Sequence, residues 1–298
     1  MNGLAQWLLA ENPSSRRQAA LGRAYAGWRG FARNRLALMG LVLVLMLVAV
    51  ALLADGLAPF APTVGELTAR LQAPSSVHWC GTDDQGRDIL SRLMHGARIT
   101  LYVVTLVAVL AAPVGLLVGT AAGYAGGWLD AVLMRITDIF LAFPKLILAL
   151  AFVAALGPGI ENAVIAIAIT SWPPYARIAR AETLSIRQAD YISAVKLLGA
   201  SPARIVLRHV IPNTLGTVVV YATVLIPQAM LTETFLSFIG LGVQAPLASW
   251  GTLVTEGSTQ VAVSPWVLAG PGLAMGLTIF ALNFLGDGLR DAIDPQIR

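Results

Sequence analysis

The sequence predicts an all-α integral membrane protein, and three observations support that fold class. Of the 298 residues, 57% are hydrophobic and only 12% are charged, whereas a soluble domain carries roughly 25% charged residues. The mean hydropathy is +0.73. The apolar residues also fall in long uncharged runs, and a lipid bilayer is the solvent that accepts such runs on the outside of a protein.

Uncharged runs predict about six membrane-spanning helices. The first run covers residues 36–54 without a charge, close to the roughly 20 residues that a helix needs to cross the hydrocarbon. A cleaved signal peptide is the alternative, but the apolar part of such a segment has only roughly 7 to 15 residues. The remaining spans are predicted at residues 99–129, 131–156, 162–172, 214–240 and 267–285.

Small residues and prolines predict where these spans pack closely and where they end. The second span has a small-residue surface suited to close helix packing; it consists of Gly115, Gly119, Ala122 and Gly123. Pro158 and Gly159 are expected to turn the chain before the short fourth span. Pro173 and Pro174 are expected to end that span, because proline breaks a helix interior.

The positions of Lys and Arg predict that both termini are cytoplasmic. With that orientation, 14 of the 20 basic residues lie in cytoplasmic segments and four lie in outer loops, as the positive-inside rule requires. The predicted segments are a cytoplasmic N-terminal segment at 1–35, the first span at 36–54, a periplasmic loop with an amphipathic helix at 55–97, a transmembrane domain at 98–288 that includes a cytoplasmic loop at 173–213, and a cytoplasmic tail at 289–298.

The cytoplasmic loop contains the signals of a helix, a sharp turn and a second helix. Gly199 suits the position after a helix end, Ser201 an N-cap and Pro202 the first residue of the next helix. Pro212 is expected to stop that second helix. The first helix carries an apolar stripe of Tyr191, Ala194, Val195 and Leu198, and the polar surface carries Lys196, Arg204 and Arg208. Such a hairpin either lies on lipid headgroups or docks into a groove of a soluble partner.

Two stretches of this loop resemble a known family. Residues 193–202 read SAVKLLGASP and residues 208–213 read RHVIPN, which resembles the EAA loop of ABC importer permeases. In that family the loop contains the coupling helix that sits in a cleft of the ATPase subunit. Ser193 replaces the leading Glu of the motif and Val195 its second Ala. The resemblance implies ATPase coupling by Tyr191, Ser193, Ala194, Val195, Lys196, Gly199, Ala200, Ser201, Arg204 and Pro212.

Further stretches are similar to the C-type permeases of dipeptide, oligopeptide and nickel importers. They read FARNR at 31–35, GTDDQGRDILSRL at 81–93, FLSFIGLGVQ at 235–244, SWG at 249–251 and GDGLRD at 286–291. This resemblance implies a type I ABC importer permease fold in the bacterial inner membrane. It also implies a second homologous permease, two ATPase subunits that use ATP and magnesium, and an extracytoplasmic substrate-binding protein.

Peptides are the expected cargo, with nickel or another small solute as the alternative. A self-sufficient secondary transporter is a further alternative, but the two halves of the chain show no internal repeat of the kind that such proteins often have. The chain has no G-x-x-x-x-G-K-[ST] motif for ATP hydrolysis. With a single cysteine and no metal-ligand spacing among three histidines, it is expected to be no enzyme and to bind no cofactor or metal. No nucleic-acid partner is expected.

The 81–93 stretch also has a local interpretation. Thr82 and Gln85 fit a capping box at the start of an amphipathic helix, and Asp88 and Arg92 are expected to pair at a spacing of four residues. The charges of this stretch serve either structural packing or contact with the substrate-binding protein, and the two interpretations stay open. The residues assigned to the binding-protein side are Asp83, Asp84, Arg87 and Asp88.

Charged residues at membrane depth are functional candidates. Glu233 lies within the predicted fifth span and is the candidate for the translocation pathway. Arg135 and Asp138 are three residues apart on one predicted helix, so they are expected to neutralise each other.

Overall fold

The structure, a computed structural model, describes residue 7 and residues 14–293, and these residues form a bundle of helices with irregular connections. The helices, numbered in chain order, are α1 (Arg16–Arg33), α2 (Arg35–Leu52), α3 (Ala54–Leu57), α4 (Ile89–Ala125), α5 (Gly127–Ala142), α6 (Lys145–Leu156), α7 (Ile160–Arg187), α8 (Asp190–Leu197), α9 (Pro202–Ile205), α10 (Ile211–Phe238), α11 (Trp250–Gln260) and α12 (Trp266–Ile293). A π-helical segment, Val206–Val210, joins α9 to α10.

Among the described residues, four helical stretches are long and apolar enough to cross a membrane: α2, α4, the continuous run from α9 through α10, and α12. Helices α5 and α6 pass the same test only when taken together, and they meet at an angle of 90°. They add a fifth span if this bent pair crosses the membrane as one broken helix. The predicted all-α membrane class is therefore confirmed. The count of six spans and the cytoplasmic placement of the termini stay predictions.

The predicted span at 131–156 differs from the structure in one respect, because this stretch consists of two helices that could form one broken span. Helix α5 ends at Ala142, and Phe143 and Pro144 are extended before α6 begins. The reason is local, since the ring of a proline disfavours the helical conformation of the residue that precedes it. The break falls at Phe143 and redirects the chain by 90°.

The predicted end of a helix at Pro173 and Pro174 is also wrong, because α7 continues through both prolines to Arg187. Packing against α4 compensates for the hydrogen bonds that the prolines cannot make. Most of α7 from Ala163 onward presents a buried face, and the stability of a membrane helix of this kind comes mainly from such contacts with its neighbours.

The small-residue surface of α4 packs where the sequence predicts. Gly115 lies against Tyr175, Gly119 against Ala176 and Gly123 against Thr183. A methyl group on Gly119 would collide with the backbone carbonyl of α7, so the backbones approach as closely as glycine allows. The matched order of the contacts shows that α4 and α7 run parallel, and α5 and α6 therefore carry the chain back between them.

Helices α2 and α12 pack antiparallel and bring the described ends of the chain to one side of the bundle. Gly40 of α2 lies against Ala281, and Gly288 of α12 lies against Ala37. Asn34, between α1 and α2, lies beside Asp291 near the end of α12, with 3.4 Å between Nδ2 and Oδ2.

Candidate functional site

The chain segment 190–212, called the hairpin below, contains α8, a turn and α9. Gly199 adopts a φ of +78° directly after the end of α8, a conformation that glycine takes at no steric cost. The Ser201 hydroxyl accepts a hydrogen bond from the Arg204 backbone N–H at 3.4 Å, and Pro202 is the first residue of α9. The predicted helix, turn and helix are confirmed.

One side of the hairpin is fixed to the end of α7. Ile192, Ile205 and Val210 are 0–1% exposed and pack together with Ile186 of α7. Val195 packs against the same cluster, although the sequence places it on the outward apolar stripe. The buried face of α8 therefore consists of Ile192 and Val195, and its contact with Ile205 and Val210 holds the turn in a defined position.

The opposite side of the hairpin exposes large apolar side chains. Leu197 is 89% exposed and Leu198 is 87% exposed, next to the Gly199 turn. Tyr191 is 46% exposed at the start of α8. The other predicted coupling residues that are exposed are Ser193, Ala194, Lys196, Gly199, Ser201, Arg204 and Pro212, and Ala200 is half-buried. The exposed tip offers an apolar contact with charges around it.

Pro212 does not stop the second helix, so that prediction is wrong. The backbone N–H of Ile211 bonds to the Val206 carbonyl, five residues back. A π turn of this kind changes the hydrogen-bond register just before a proline that has no N–H to donate. The chain therefore passes from α9 into α10 as one helical run, Pro202–Phe238.

A second group of polar residues, called the ion cluster below, consists of Asp83, Arg87, Arg92 and Glu256. Asp83 Oδ2 lies 2.7 Å from Arg87 Nε and 2.5 Å from Arg92 Nη1. Arg92 also bonds to Glu256 of α11, which Arg87 approaches at 3.4 Å. The side chains of Asp83 and Arg92 are 1% and 2% exposed. The two guanidinium groups neutralise the two carboxylates; Asp83 is buried, whereas the side chain of Glu256 is 31% exposed and reaches the surface.

Three sequence predictions about this region are corrected by the structure. Residues 81–88 are not helical, because Gly81 and Gly86 have φ of +77° and +73°. Helix α4 begins at Ile89 with Asp88 as its N-cap, accepting from the Ser91 N–H at 2.8 Å, so Thr82 and Gln85 form no capping box. The separate amphipathic helix is the first part of α4.

The predicted pair of Asp88 with Arg92 is wrong as well. Asp88 bonds instead to Ser91 and to His78, whose Nδ1 lies 3.0 Å from Oδ1. Arg92 points to Asp83 and Glu256. Glu256 was missed because it lies 164 residues from Arg92 in the chain, on a helix between the predicted fifth and sixth spans. The available signal was Ser249, which caps that helix by accepting from the Thr252 N–H.

The four residues predicted on the binding-protein side differ in their exposure to solvent. Asp83, Arg87 and Asp88 are 1%, 6% and 2% exposed, so their side chains act within the protein and hold the loop onto α4 and α11. Asp84 is the partly exposed member, with a side chain 39% exposed. Contact with a binding protein stays a prediction for all four.

Two titratable groups near the ion cluster lie outside the spans. Burial raises the pKa of the Cys80 thiol, and the negative charge of Asp88 adds to that effect. The thiol is therefore protonated at neutral pH and unreactive. Hydrogen bonding to Arg98 and its positive charge hold the pKa of Asp55 below its ordinary value, with a further contribution from His95.

Glu233 lies in a packed interface between α10 and α11. It is 1% exposed, and its Oε1 accepts hydrogen bonds from the Ser237 and Ser249 hydroxyls, both at 2.8 Å. Within the described residues Oε2 has no partner, and a methyl group on Gly251 would lie 2.8 Å from it. The carboxyl therefore fastens the start of α11 to α10, and its pathway role stays a prediction.

The expected pair of Arg135 with Asp138 is also wrong. Asp138 Oδ1 bonds to Arg177 Nη2 at 2.6 Å, and Asp130 Oδ1 bonds to Arg180 Nε at 2.6 Å. Both pairs join α5 to α7. They connect helices that are distant in the chain, which helical spacing alone does not reveal.

Comparison with known proteins identifies the family. Residues 115–298 match the model of the binding-protein-dependent transport system inner membrane component, and residues 25–74 match the N-terminal TM domain of oligopeptide transport permease C. The chain is 36% identical to the dipeptide transport system permease protein of Bacillus subtilis, over 98% of this chain and 93% of that protein. It is 40% identical to the glutathione transport system permease protein of Pectobacterium atrosepticum, over 91% and 90% of the two chains.

A solved structure agrees with this result. The chain is similar in fold to the inward-facing methionine ABC transporter MetNI, with a TM-score of 0.59 and 20% sequence identity, over 69% of this chain and 98% of that chain. The resemblance drawn from the sequence motifs is confirmed. The chain belongs to the family of binding-protein-dependent transport system inner membrane components and is a multi-pass permease subunit of an ABC importer.

Proposed function

We propose that this chain forms half of the translocation pore of a peptide importer, together with a second homologous permease. The relatives carry the names of dipeptide, glutathione and oligopeptide permeases, and all three cargoes are peptides. Nickel as cargo receives no support from these relatives. The permease would carry no ATPase of its own and would depend on two ATPase subunits, where ATP and magnesium bind, and on an extracytoplasmic binding protein.

The hairpin is the proposed docking surface for the ATPase. The observation that carries this assignment is the pair Leu197 and Leu198, exposed by nearly nine-tenths at a turn whose other face is locked onto α7. Helices dock by placing exposed apolar residues into a partner's groove. Covering a leucine side chain contributes about 1.5–3 kcal/mol, so these two residues would supply much of the contact energy.

The hairpin is also placed to transmit movement. The helical run from Pro202 to Phe238 has 37 residues, which corresponds to roughly 55 Å at 1.5 Å per residue. ATP-driven closure of the ATPases would displace its hairpin end, and the far end carries the contact of Glu233 with α11. The pore would then alternate between outward and inward openings.

A translocation role for Glu233 requires α10 and α11 to separate, because the carboxyl is almost fully buried in the structure. Glu233→Gln keeps an oxygen that accepts from Ser237 and Ser249 and removes only the acidic function. Normal peptide uptake by this variant would remove Glu233 from the pathway.

Reconstitution of the complete transporter in proteoliposomes tests the docking proposal. Gly199→Pro replaces a residue at φ +78° by one fixed near −65°, and Arg204→Glu reverses a charge on the exposed face. Both variants are expected to lower ATP-driven dipeptide uptake at least tenfold while the isolated ATPase binds ATP normally. Arg290→Glu, which reverses an exposed charge near the end of α12, serves as the matched control.

Unchanged uptake in both hairpin variants would contradict the docking proposal. The same vesicles test the cargo, with labelled dipeptide, glutathione and nickel offered to the transporter with its binding protein. Uptake of nickel without either peptide would contradict the peptide assignment and leave the permease assignment intact. Loss of ATP dependence, with no ATPase co-purifying, would favour a secondary transporter.

A further inference from the structure

Helix α1 is a basic surface helix that the proposed transport cycle does not use. Its 18 residues include five arginines and no acidic residue, and the sequence has no Asp or Glu between Glu11 and Asp55. The side chains of Arg17, Arg29 and Arg33 are exposed. In the part of the chain that the structure describes, none of these three forms an ion pair. The helix therefore presents an uncompensated positive surface.

The same helix exposes large apolar side chains. Leu21 is 53% exposed and Trp28 is 52% exposed, and a spacing of seven residues places them on one face. Arg29 and Arg33 are turned away from Trp28 by roughly 100° or more. An apolar face with a tryptophan, flanked by arginines, is the pattern of a helix that lies in a membrane interface.

Helix α1 also lies directly before the first helix that is long and apolar enough to cross a membrane. Only Asn34 separates α1 from the first span, and its side chain caps that span by accepting from the Leu36 and Ala37 N–H groups at 3.1 and 3.2 Å. Phe31, 5% exposed, packs against Gly288 of α12. The helix is anchored at its C-terminal end to two helices that cross the bilayer, so its exposed faces meet the lipid surface on the side of the termini.

A groove continues from the apolar face of α1. Trp28 and Phe31 line it on one side, and Leu41 of α2 with Leu285 and Leu289 of α12 line the other. The groove opens beside the ends of two membrane-crossing helices, where acyl chains are the available apolar material. Positive charge and an apolar groove thus lie next to each other.

We propose that α1 binds the anionic headgroups of phospholipids in the leaflet on the side of the termini, with Leu21 and Trp28 inserted among the acyl chains. Charge complementarity selects the occupant, because a helix with five arginines and no carboxylate attracts a negative lipid surface. The neutral headgroup of phosphatidylcholine offers no such attraction. The interaction is a property of this chain and does not depend on its cargo.

Lipid retention by the full-length chain tests the proposal. The chain is reconstituted in vesicles of equal parts phosphatidylglycerol and phosphatidylcholine, extracted in mild detergent, and analysed for retained lipid by mass spectrometry. The wild-type chain is expected to retain phosphatidylglycerol several-fold above its bulk share. Arg29→Gln with Arg33→Gln is expected to bring the ratio close to the bulk value. Lys196→Gln with Arg204→Gln removes the same charge from the hairpin and is expected to keep the wild-type ratio.

Three results would overturn the proposal. They are a wild-type ratio equal to the bulk ratio, an equal loss in both double variants, and a variant in Arg29 and Arg33 that keeps its lipid but, when purified as part of the complete transporter, loses the ATPase subunits. The last result would make α1 a protein-docking helix. Because a variant could fail to fold, Trp28→Phe gives a second test. Subtracting the fluorescence of this variant from that of the wild type gives the emission of Trp28. Lipids brominated near the headgroup are expected to quench this emission more strongly than lipids brominated at the chain end. The reverse order would contradict insertion at the interface.

Discussion

The hairpin exposes its largest apolar side chains, whereas the ion cluster buries three of its four charged side chains. Leu197 and Leu198 are 89% and 87% exposed, while the side chains of Asp83 and Arg92 are 1% and 2% exposed. Each arrangement is the reverse of what an isolated soluble surface favours. The comparison shows which motif is complete within this chain: the charges of the cluster find their partners here, and the leucines of the hairpin do not.

This difference indicates that the ion cluster and the hairpin have different roles. A buried ion pair whose members are all present holds elements in place, and it is costly to break because one charge is then left without a partner. An exposed apolar tip contributes nothing to the stability of its own chain until another surface covers it. The ion cluster therefore serves the assembly of the fold, and the hairpin serves an interface.

Removal of Arg92 should have the largest effect on the fold. Arg92→Gln removes one of the two guanidinium groups that face Asp83 and Glu256, and Arg87 alone then remains to neutralise both carboxylates. Breaking a buried pair costs about 3–5 kcal/mol, and the lower end is expected because Arg87 remains. Thermal unfolding of the purified chain measures the change. Arg98→Gln on the same helix is the matched control, because Arg98 pairs with the exposed Asp55 and such a pair is worth about 0–1 kcal/mol. Equal destabilisation by both variants would contradict a structural role for the ion cluster.

Removal of the hairpin leucines should have an intermediate effect, and on binding alone. Leu197→Ser with Leu198→Ser is expected to leave the free energy of unfolding within about 0.5 kcal/mol of wild type, as for exposed positions generally. It should weaken ATPase binding at least tenfold, because each buried leucine contributes about 1.5–3 kcal/mol. Binding is measured by interferometry with the permease in nanodiscs.

Val263→Ser provides the control for the leucine variant. Val263 is 73% exposed, but it lies between α11 and α12, away from the hairpin. It should change neither stability nor ATPase binding. A leucine double variant that unfolds early, or that binds the ATPase as tightly as wild type, would show that the exposed tip is not an interface.

The smallest effect is expected at Asp84, the partly exposed neighbour of the ion cluster. If Asp84 contacts the binding protein through an exposed charge, Asp84→Asn loses about 0.2–1 kcal/mol and weakens binding up to about fivefold. Stability should be unchanged. Asp88→Ala is the contrasting variant, since Asp88 is buried and caps α4 and removing that cap should lower stability. Wild-type affinity of Asp84→Asn would leave this region with a structural role only.

Local signals in the sequence predicted much of the fold and of the hairpin. The membrane class follows from uncharged runs, and the turn at Gly199 with its Ser201 cap follows from residues that act within four positions of each other. The packing of Gly119 was predictable because a row of small residues is useful only where another backbone approaches. The family resemblance supplied the partner that these signals do not name.

Contacts between distant residues were not predictable from spacing. Arg92 was expected to pair with Asp88, four residues away, but its partner Glu256 lies on another helix. The effect of Pro173 and Pro174 was not predictable for a related reason. The local rule for proline predicts that the helix ends there, but contacts with α4, which is distant in the chain, keep α7 helical. Pro144 has the opposite effect, because the helix ends before Phe143, the residue that precedes this proline.

The π-helical segment at Val206–Val210 has a geometric consequence for the hairpin. A π turn holds one residue more than an α-helical turn, and each residue of an α-helix advances the direction of its side chain by about 100°. The azimuth of α9 relative to α10 is therefore offset by roughly that angle from the azimuth that an uninterrupted α-helix would give. Which way Leu197 and Leu198 face, seen down the axis of the long helix, is set by the number of residues in one turn of backbone.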